Sequence, residues 1–179
     1  LWDILRKFLK EQIEELRANG IRLSIIGQTD RLPKMVQKDL ADACQYLSAS
    51  KGMNLCLALS YGGRADIIQA ARAFALDCVK TVKNPAELDE EVFESYLMTR
   101  ALSDRSVCGS DVDLLSRTSG EKRVSNFLLW QSAYAELVFV DQYWPDFTRQ
   151  HFRRAIEEFS KRRRRYGGVL EEAPGLTAK

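Results

Sequence analysis

Histidine is nearly absent from this 179-residue sequence. The single one, His151, stands between Gln150 and Phe152 in a helical stretch and is read as structural. Cysteine is scarce and unpatterned. Cys44, Cys56, Cys78 and Cys108 show no C-x-x-C spacing, and Cys56 lies inside an apolar run, so buried thiols in a reducing compartment are expected and not a disulfide framework or a zinc site. No apolar run approaches the roughly 20 residues that span a bilayer, and no charged-then-apolar secretory leader is seen, so the setting expected is cytoplasmic. Charge of one sign is lacking as well. With 27 basic against 25 acidic residues the net charge is +2, too balanced for a general polyanion binder, and no nucleic acid partner is expected. Repeats and low-complexity linkers are missing, so no domain boundary is drawn. At 45% hydrophobic the chain can bury one core, and residues 1–179 are read as a single domain.

The chain opens on Leu1 and passes at once into a helical pattern, Leu1, Leu5, Phe8, Leu9, Ile13 and Leu16, closed by Asn19-Gly20. A terminal helix with so wide an apolar stripe needs a partner, so the domain is expected to be partial. From Gly20 onward strands and helices alternate. Strands are expected at Ile21–Ile26, Asn54–Leu59, Val112–Leu115 and Leu137–Val140. Helices are expected from near Pro33 to Leu47, from Ile67 to a stop near Asn84-Pro85, from a cap at Asp89 or a neighbour through Leu97, and from about Thr148 to Arg164. The unbroken apolar run Asn54-Leu-Cys-Leu-Ala-Leu59 is that of a strand covered on both faces. This is an α/β pattern, a mainly parallel sheet flanked by helices.

In open parallel sheets ligands sit beyond the carboxyl ends of the strands, and two polar turns leave such ends. In Ser60-Tyr-Gly-Gly63-Arg64 the glycines allow close backbone approach, and free N–H groups at a helix start would face an anion; a tight turn with no ligand is the other reading. The second turn, Arg117-Thr-Ser-Gly-Glu-Lys-Arg123-Val124-Ser125, is richer. A diphosphate needs several donors at fixed angles, which two guanidinium forks, hydroxyls and backbone N–H groups supply. An ordinary surface loop with weak Arg–Glu pairs is the alternative.

Glu136 precedes an apolar strand, where a carboxylate needs a cation or a donor; pairing with an arginine at a subunit seam is one way to provide it. Phe127, Leu128, Leu129, Trp130, Tyr134, Trp144 and Phe147 are read as core and subunit interface, with Trp144-Pro-Asp-Phe147 a rigid corner. The basic run Lys161-Arg-Arg-Arg-Arg165 is either a solvated, dipole-matched helix end or a contact with anionic lipid headgroups at a membrane surface.

The stretch from Asp113 to Phe147 resembles, at nearly every position, the signature segment of the cis-prenyltransferases, the family of undecaprenyl diphosphate synthase. The resemblance implies a transferase that condenses isopentenyl diphosphate onto an allylic diphosphate such as farnesyl diphosphate, with cis geometry, to make polyprenyl diphosphates. It implies that Arg117, Arg123, Val124 and Ser125 hold the diphosphate of isopentenyl diphosphate, that Gly63 and Arg64 belong to a substrate-binding turn in which Ser60 replaces the family's asparagine, and that Glu136 holds Mg²⁺. Arg165-Tyr-Gly167 resembles the family's C-terminal Arg-x-Gly motif, which reaches across a homodimer toward the extending substrate. The family's His-x-x-x-Asp-Gly-Asn-x-Arg-Trp loop, with its essential aspartate, and its Ser-x-Glu-Asn-Trp-x-Arg segment have no counterpart in these residues, and the first strands of its sheet are absent with them. The chain is therefore expected to be the C-terminal portion of such an enzyme, without a catalytic residue of its own and inactive alone. A non-catalytic partner subunit of a heteromeric cis-prenyltransferase is the alternative, against which stands the retention of both polar turns.

Overall fold

The computed structural model describes residues 2–102 and 111–162. It divides into two compact units: residues 1–111 together with 125–131, and residues 112–124 together with 132–179.

In the first unit helix α1 (Trp2–Ala18) presents Leu5, Leu9, Ile13 and Leu16 as one stripe, as the sequence spacing predicts, while Phe8, expected in the same stripe, is exposed. Gly20, at φ +66°, ends it: its N–H reaches the Arg17 carbonyl at 2.9 Å and the Ile21 N–H reaches Leu16 at 2.8 Å, so the last carbonyls are satisfied. The chain then forms β1 (Arg22–Ile26), α2 (Lys34–Tyr46) and β2 (Asn54–Ala58), with β1 and β2 paired in parallel from Arg22–Asn54 to Ile26–Ala58. Leu9, Leu23, Val36, Leu40, Ala43 and Leu47 make the buried core. Leu55, Leu57 and Leu59 pack against that core, whereas β2 is half-buried at every position and not sealed on both faces as its composition suggests. Strand alternation sends only every second residue to the α1/α2 side.

Helix α3 (Gly63–Thr81) stops at Val82, φ +57°, ahead of a turn in which Asn84 Oδ1 accepts the Ala86 N–H at 3.0 Å. Asp89 caps α4 (Glu90–Glu94) by accepting the Val92 N–H at 2.8 Å, as expected, but the helix ends three residues before Leu97. Phe93 and Leu97 turn inward on Ala70 to form a second core, with Ile67, Tyr96 and Trp130 packed around it.

In the second unit β3 (Leu114–Arg117) and β4 (Glu136–Phe139) pair in parallel, Leu114 opposite Glu136 and Arg117 opposite Phe139. Strand β3 lies two residues later than the apolar run suggests, because the ladder follows its partner and carries Ser116 and Arg117 into the sheet. Helix α5 (Arg149–Ser160) packs on β4, with Val138 and Ala155 buried. His151 is structural as expected: its Nδ1 accepts the Thr148 N–H at 3.1 Å and closes the helix start. Trp144–Asp146 form a single 3-10 turn with Trp144 stacked on Phe147, the expected corner. Helix α5 ends at Ser160 with Lys161 as its C-cap, short of the expected Arg164, because the Lys161 and Arg162 N–H groups turn back onto the Glu158 and Phe159 carbonyls at 3.3 and 3.0 Å; Cys108 and Arg165 lie outside the described residues. Cys44, Cys56 and Cys78 are unpaired thiols, and burial pushes Cys56 up to about 11. Among the described residues no helix is long and apolar enough to cross a membrane.

Candidate functional site

The turn after β2 is built to bring backbone against backbone. Ser60 stands at φ +52°, Gly62 is extended, and α3 begins at Gly63. A Cβ on Gly63 would lie 2.8 Å from Leu129 Cγ and 2.9 Å from the Leu129 nitrogen, so glycine is required by the close passage of residues 125–131. The helix start is not open to an anion through its first N–H groups. Gly63 N–H donates to the Asn126 carbonyl at 2.7 Å and Arg64 N–H to Asn126 Oδ1 at 2.9 Å, which corrects the expectation of free donors here. What the turn offers outward is the exposed Arg64 side chain.

Behind it lies a buried polar group that sequence reasoning missed. Asp66, 1% exposed, accepts from the Tyr61 hydroxyl at 2.8 Å, the Met98 N–H at 2.9 Å and Gln131 Nε2 at 3.3 Å. Gln131 Nε2 also donates to Thr99 Oγ1 at 3.0 Å, and its Oε1 has no partner in the structure. The network ties the start of α3 to the chain after α4 and to the end of the 125–131 segment. An aspartate in a first helical turn was a visible signal, but the burial that makes it structural comes from residues 32 and 65 positions away. Desolvation, then the hydrogen bond to anionic Asp66, pushes the Tyr61 phenol well above the usual tyrosine range. A pKa raised in the fold contributes stability that is complete below the unfolded value near 10 and is lost as pH rises through the folded one. An alkaline absorbance titration is expected to show a tyrosine step well above the usual range, and Tyr61→Phe is expected to remove it.

In the second unit β3 delivers Arg117 at its carboxyl end, half-buried, followed by Ser119 and Gly120 at φ +70° and +69°. This reversal is pinned by the Ser119 N–H on the Gln142 carbonyl at 2.7 Å and the Gly120 N–H on Val140 at 3.0 Å. The Arg117 guanidinium donates through one nitrogen to the Arg123 carbonyl, bridging the turn from within. Arg123 is exposed and paired with Glu121, the kind of surface pair that forms without a ligand. Val124 is half-buried and ends this segment, and the exposed Ser125, at φ +54°, belongs with the first unit. The expected site residues thus fall as Gly63, Arg64 and Ser125 on one unit and Arg117, Arg123, Val124 and Glu136 on the other.

Glu136 opens β4, half-buried, with Arg162 Nη1 at 2.9 Å from its Oε2; Arg162 also holds the Leu137 carbonyl at 2.9 Å and pairs with Glu158. These carboxylates raise the arginine above its ordinary value, Glu136 first. Among the described residues no group of three or more His, Cys, Asp or Glu side chains comes together to cage a metal. One carboxylate suits a Mg²⁺ whose remaining ligands are phosphate oxygens and water, and Arg162 would have to share it. Of the aromatic residues read as core, Trp130 qualifies, its ring 4.8 Å from Phe93 and its Nε1 donating to Glu94 at 3.2 Å. Tyr134 and Trp144 are 66% and 75% exposed in this chain.

A family profile described as undecaprenyl diphosphate synthase matches residues 1–167. The chain is similar to the isoprenyl transferase of Chlorobaculum tepidum, 42% identical over 172 residues, which are 96% of this chain and 62% of that protein. It is 42% identical over 163 residues to the isoprenyl transferase of Streptococcus pneumoniae, 91% of this chain and 64% of that one. Among solved structures, lavandulyl diphosphate synthase from Lavandula x intermedia, in complex with dimethylallyl diphosphate, superposes with a TM-score of 0.86 at 36% identity, over 93% of this chain and 69% of that one. The chain spans 62% and 64% of the length of those two curated relatives. With a profile that takes in both polar turns, relatives of this identity and the same parallel α/β arrangement, the chain belongs to the undecaprenyl diphosphate synthase family, the cis-prenyltransferases.

Proposed function

We propose that this chain supplies the isopentenyl diphosphate-binding part of a cis-polyprenyl diphosphate synthase that extends an allylic diphosphate such as farnesyl diphosphate. The observation that carries this reading is the turn after β3, where Arg117 ends a parallel strand and an exposed Arg123 follows within a segment that the family profile covers. Arg117 both shapes the turn and neutralises charge; Arg123 exchanges its weak pair with Glu121 for the diphosphate; the Val124 backbone and the Ser125 hydroxyl hold remaining oxygens. The resemblance of the Ser60–Arg64 turn to the family's substrate-binding turn, and not distance, supports a substrate-binding part for Gly63 and Arg64. The arginines bind the extending substrate and stabilise negative charge as it develops, which is electrostatic catalysis by positioned cations. Glu136, with phosphate oxygens, would hold Mg²⁺, whose role when bound is to offset charge on a departing diphosphate. A homodimer, the reach of Arg165 across it and a peripheral membrane contact through the basic run are parts of the same proposal.

The test is incorporation of labelled isopentenyl diphosphate, with farnesyl diphosphate and Mg²⁺, by this chain alone and by the whole protein that carries it. Product from the whole protein and none from the 179 residues is the expected result. Turnover by the 179 residues alone would overturn the assignment of catalysis to other segments. A whole protein that is silent until a second subunit is added would make it the non-catalytic partner.

A further inference from the structure

Asn126 does three things at once. Its carbonyl accepts the Gly63 N–H at 2.7 Å, its Oδ1 accepts the Arg64 N–H at 2.9 Å, and its Nδ2 lies where a Cβ on Gly62 would come within 2.8 Å. A single residue therefore closes the first turn of a 19-residue helix from 62 positions away in sequence, in place of the local side-chain cap that α3 lacks. The backbone there is held against its preference: Ser125 and Asn126 are consecutive left-handed residues at φ +54° and +63°, and Leu128 follows at +46°. Such positions are unfavourable for residues with side chains and persist only where surrounding contacts enforce them. Asparagine tolerates the left-handed region better than most residues, whereas serine is less suited, so the conformation of Ser125 is imposed by its neighbour.

We infer that Asn126 is a positioning residue: by docking on Gly63 and Arg64 it sets the backbone of Ser125, and so the direction of the Ser125 hydroxyl toward a diphosphate, without touching the ligand itself. The inference rests on the proposed role of Ser125. It explains why the turn carries two glycines, since a Cβ at either would meet the segment that Asn126 and Leu129 bring in. It also means that affinity at the hydroxyl depends on a backbone contact 62 residues distant, which no local motif expresses.

The experiment is calorimetric titration of the whole protein with isopentenyl diphosphate and with inorganic pyrophosphate, for the parent and for Ser125→Ala, Asn126→Ala and Asn126→Gly. Glycine accepts the left-handed backbone and keeps the carbonyl that Gly63 uses, so Asn126→Gly is expected to fold, and it decides the matter if Asn126→Ala does not. Both Asn126 variants are expected to raise Kd for both ligands roughly tenfold, the scale of one misplaced hydrogen bond, with the number of sites unchanged. Loss of sites at constant Kd is the mark of a purely structural residue and would overturn the inference. A folded Asn126→Gly that binds as the parent does, while Ser125→Ala binds more weakly, overturns the inference and leaves the diphosphate reading standing. Unchanged binding in Ser125→Ala removes both.

Discussion

Arg123→Ala is expected to lower isopentenyl diphosphate incorporation by the whole protein by roughly two to three orders of magnitude, with the melting midpoint moved by less than about 2 °C. The asymmetry follows from where the side chain is. Arg123 is exposed and, among the described residues, pairs with Glu121 two residues before it, so its removal costs the fold little. A diphosphate left without that guanidinium would lose a two-pronged, charge-assisted contact in a site shielded by its substrate. Arg123→Lys restores the charge but not the fork and should recover only part of the activity. Arg117→Ala is expected to lose activity and stability together, because its guanidinium also holds the Arg123 carbonyl. Lys122→Ala, exposed and without an assigned role, is the control and should behave as the parent. Full incorporation by Arg123→Ala would mean that the diphosphate is held elsewhere.

Gly27→Ala is expected to destabilise the first unit by roughly 3–4 kcal/mol, a drop in melting midpoint of more than about 10 °C. Gly27 follows β1 at φ +109°, outside the range that side-chain-bearing residues adopt readily. A Cβ there would sit inside contact distance of the Leu59 carbonyl oxygen, 2.9 Å from the Leu59 carbonyl carbon and 3.2 Å from Tyr61 Cβ. Neither obstacle can swing aside, since Leu59 is tied to β1 by its N–H on Ile26 at 2.9 Å and the Gln28 N–H reaches Ser60 at 3.3 Å. Gly120→Ala makes the comparison. Its φ is +69°, but its nearest neighbour would be Asp141 Oδ1 at 3.5 Å, ordinary contact, so only the backbone penalty of about 1 kcal/mol is expected. Thermal unfolding of the two variants side by side separates them; equal losses would show that the Leu59 contact carries no weight.

Much of this molecule was legible from spacing. Residues at i, i+4, i+8 and i+11 in α1, the left-handed glycine after it, the Asp89 cap and the parallel strand runs are local patterns, and local patterns survive folding. The family could be read from Asp113–Phe147 because that segment keeps its residue types in order. Less legible were the limits of β3 and α4, which moved because a ladder partner and an inward turn onto Ala70 outweighed the apolar run.

What the sequence by itself determined was the α/β class, the order of elements and the two polar turns, since each depends on neighbours within a few residues. Tertiary structure alone decided which of those polar groups are already spoken for. Asn126 occupies the N–H groups that a glycine turn seemed to leave open, and Arg162 takes the Glu136 carboxylate. Asp66 disappears beneath Tyr61, Met98 and Gln131. Apart from the Tyr61 contact, five positions from Asp66, these pairings join residues 26 to 65 positions apart. A buried donor or acceptor takes whatever partner the packed chain brings within hydrogen-bond reach, and that distance is not a property of any window of sequence.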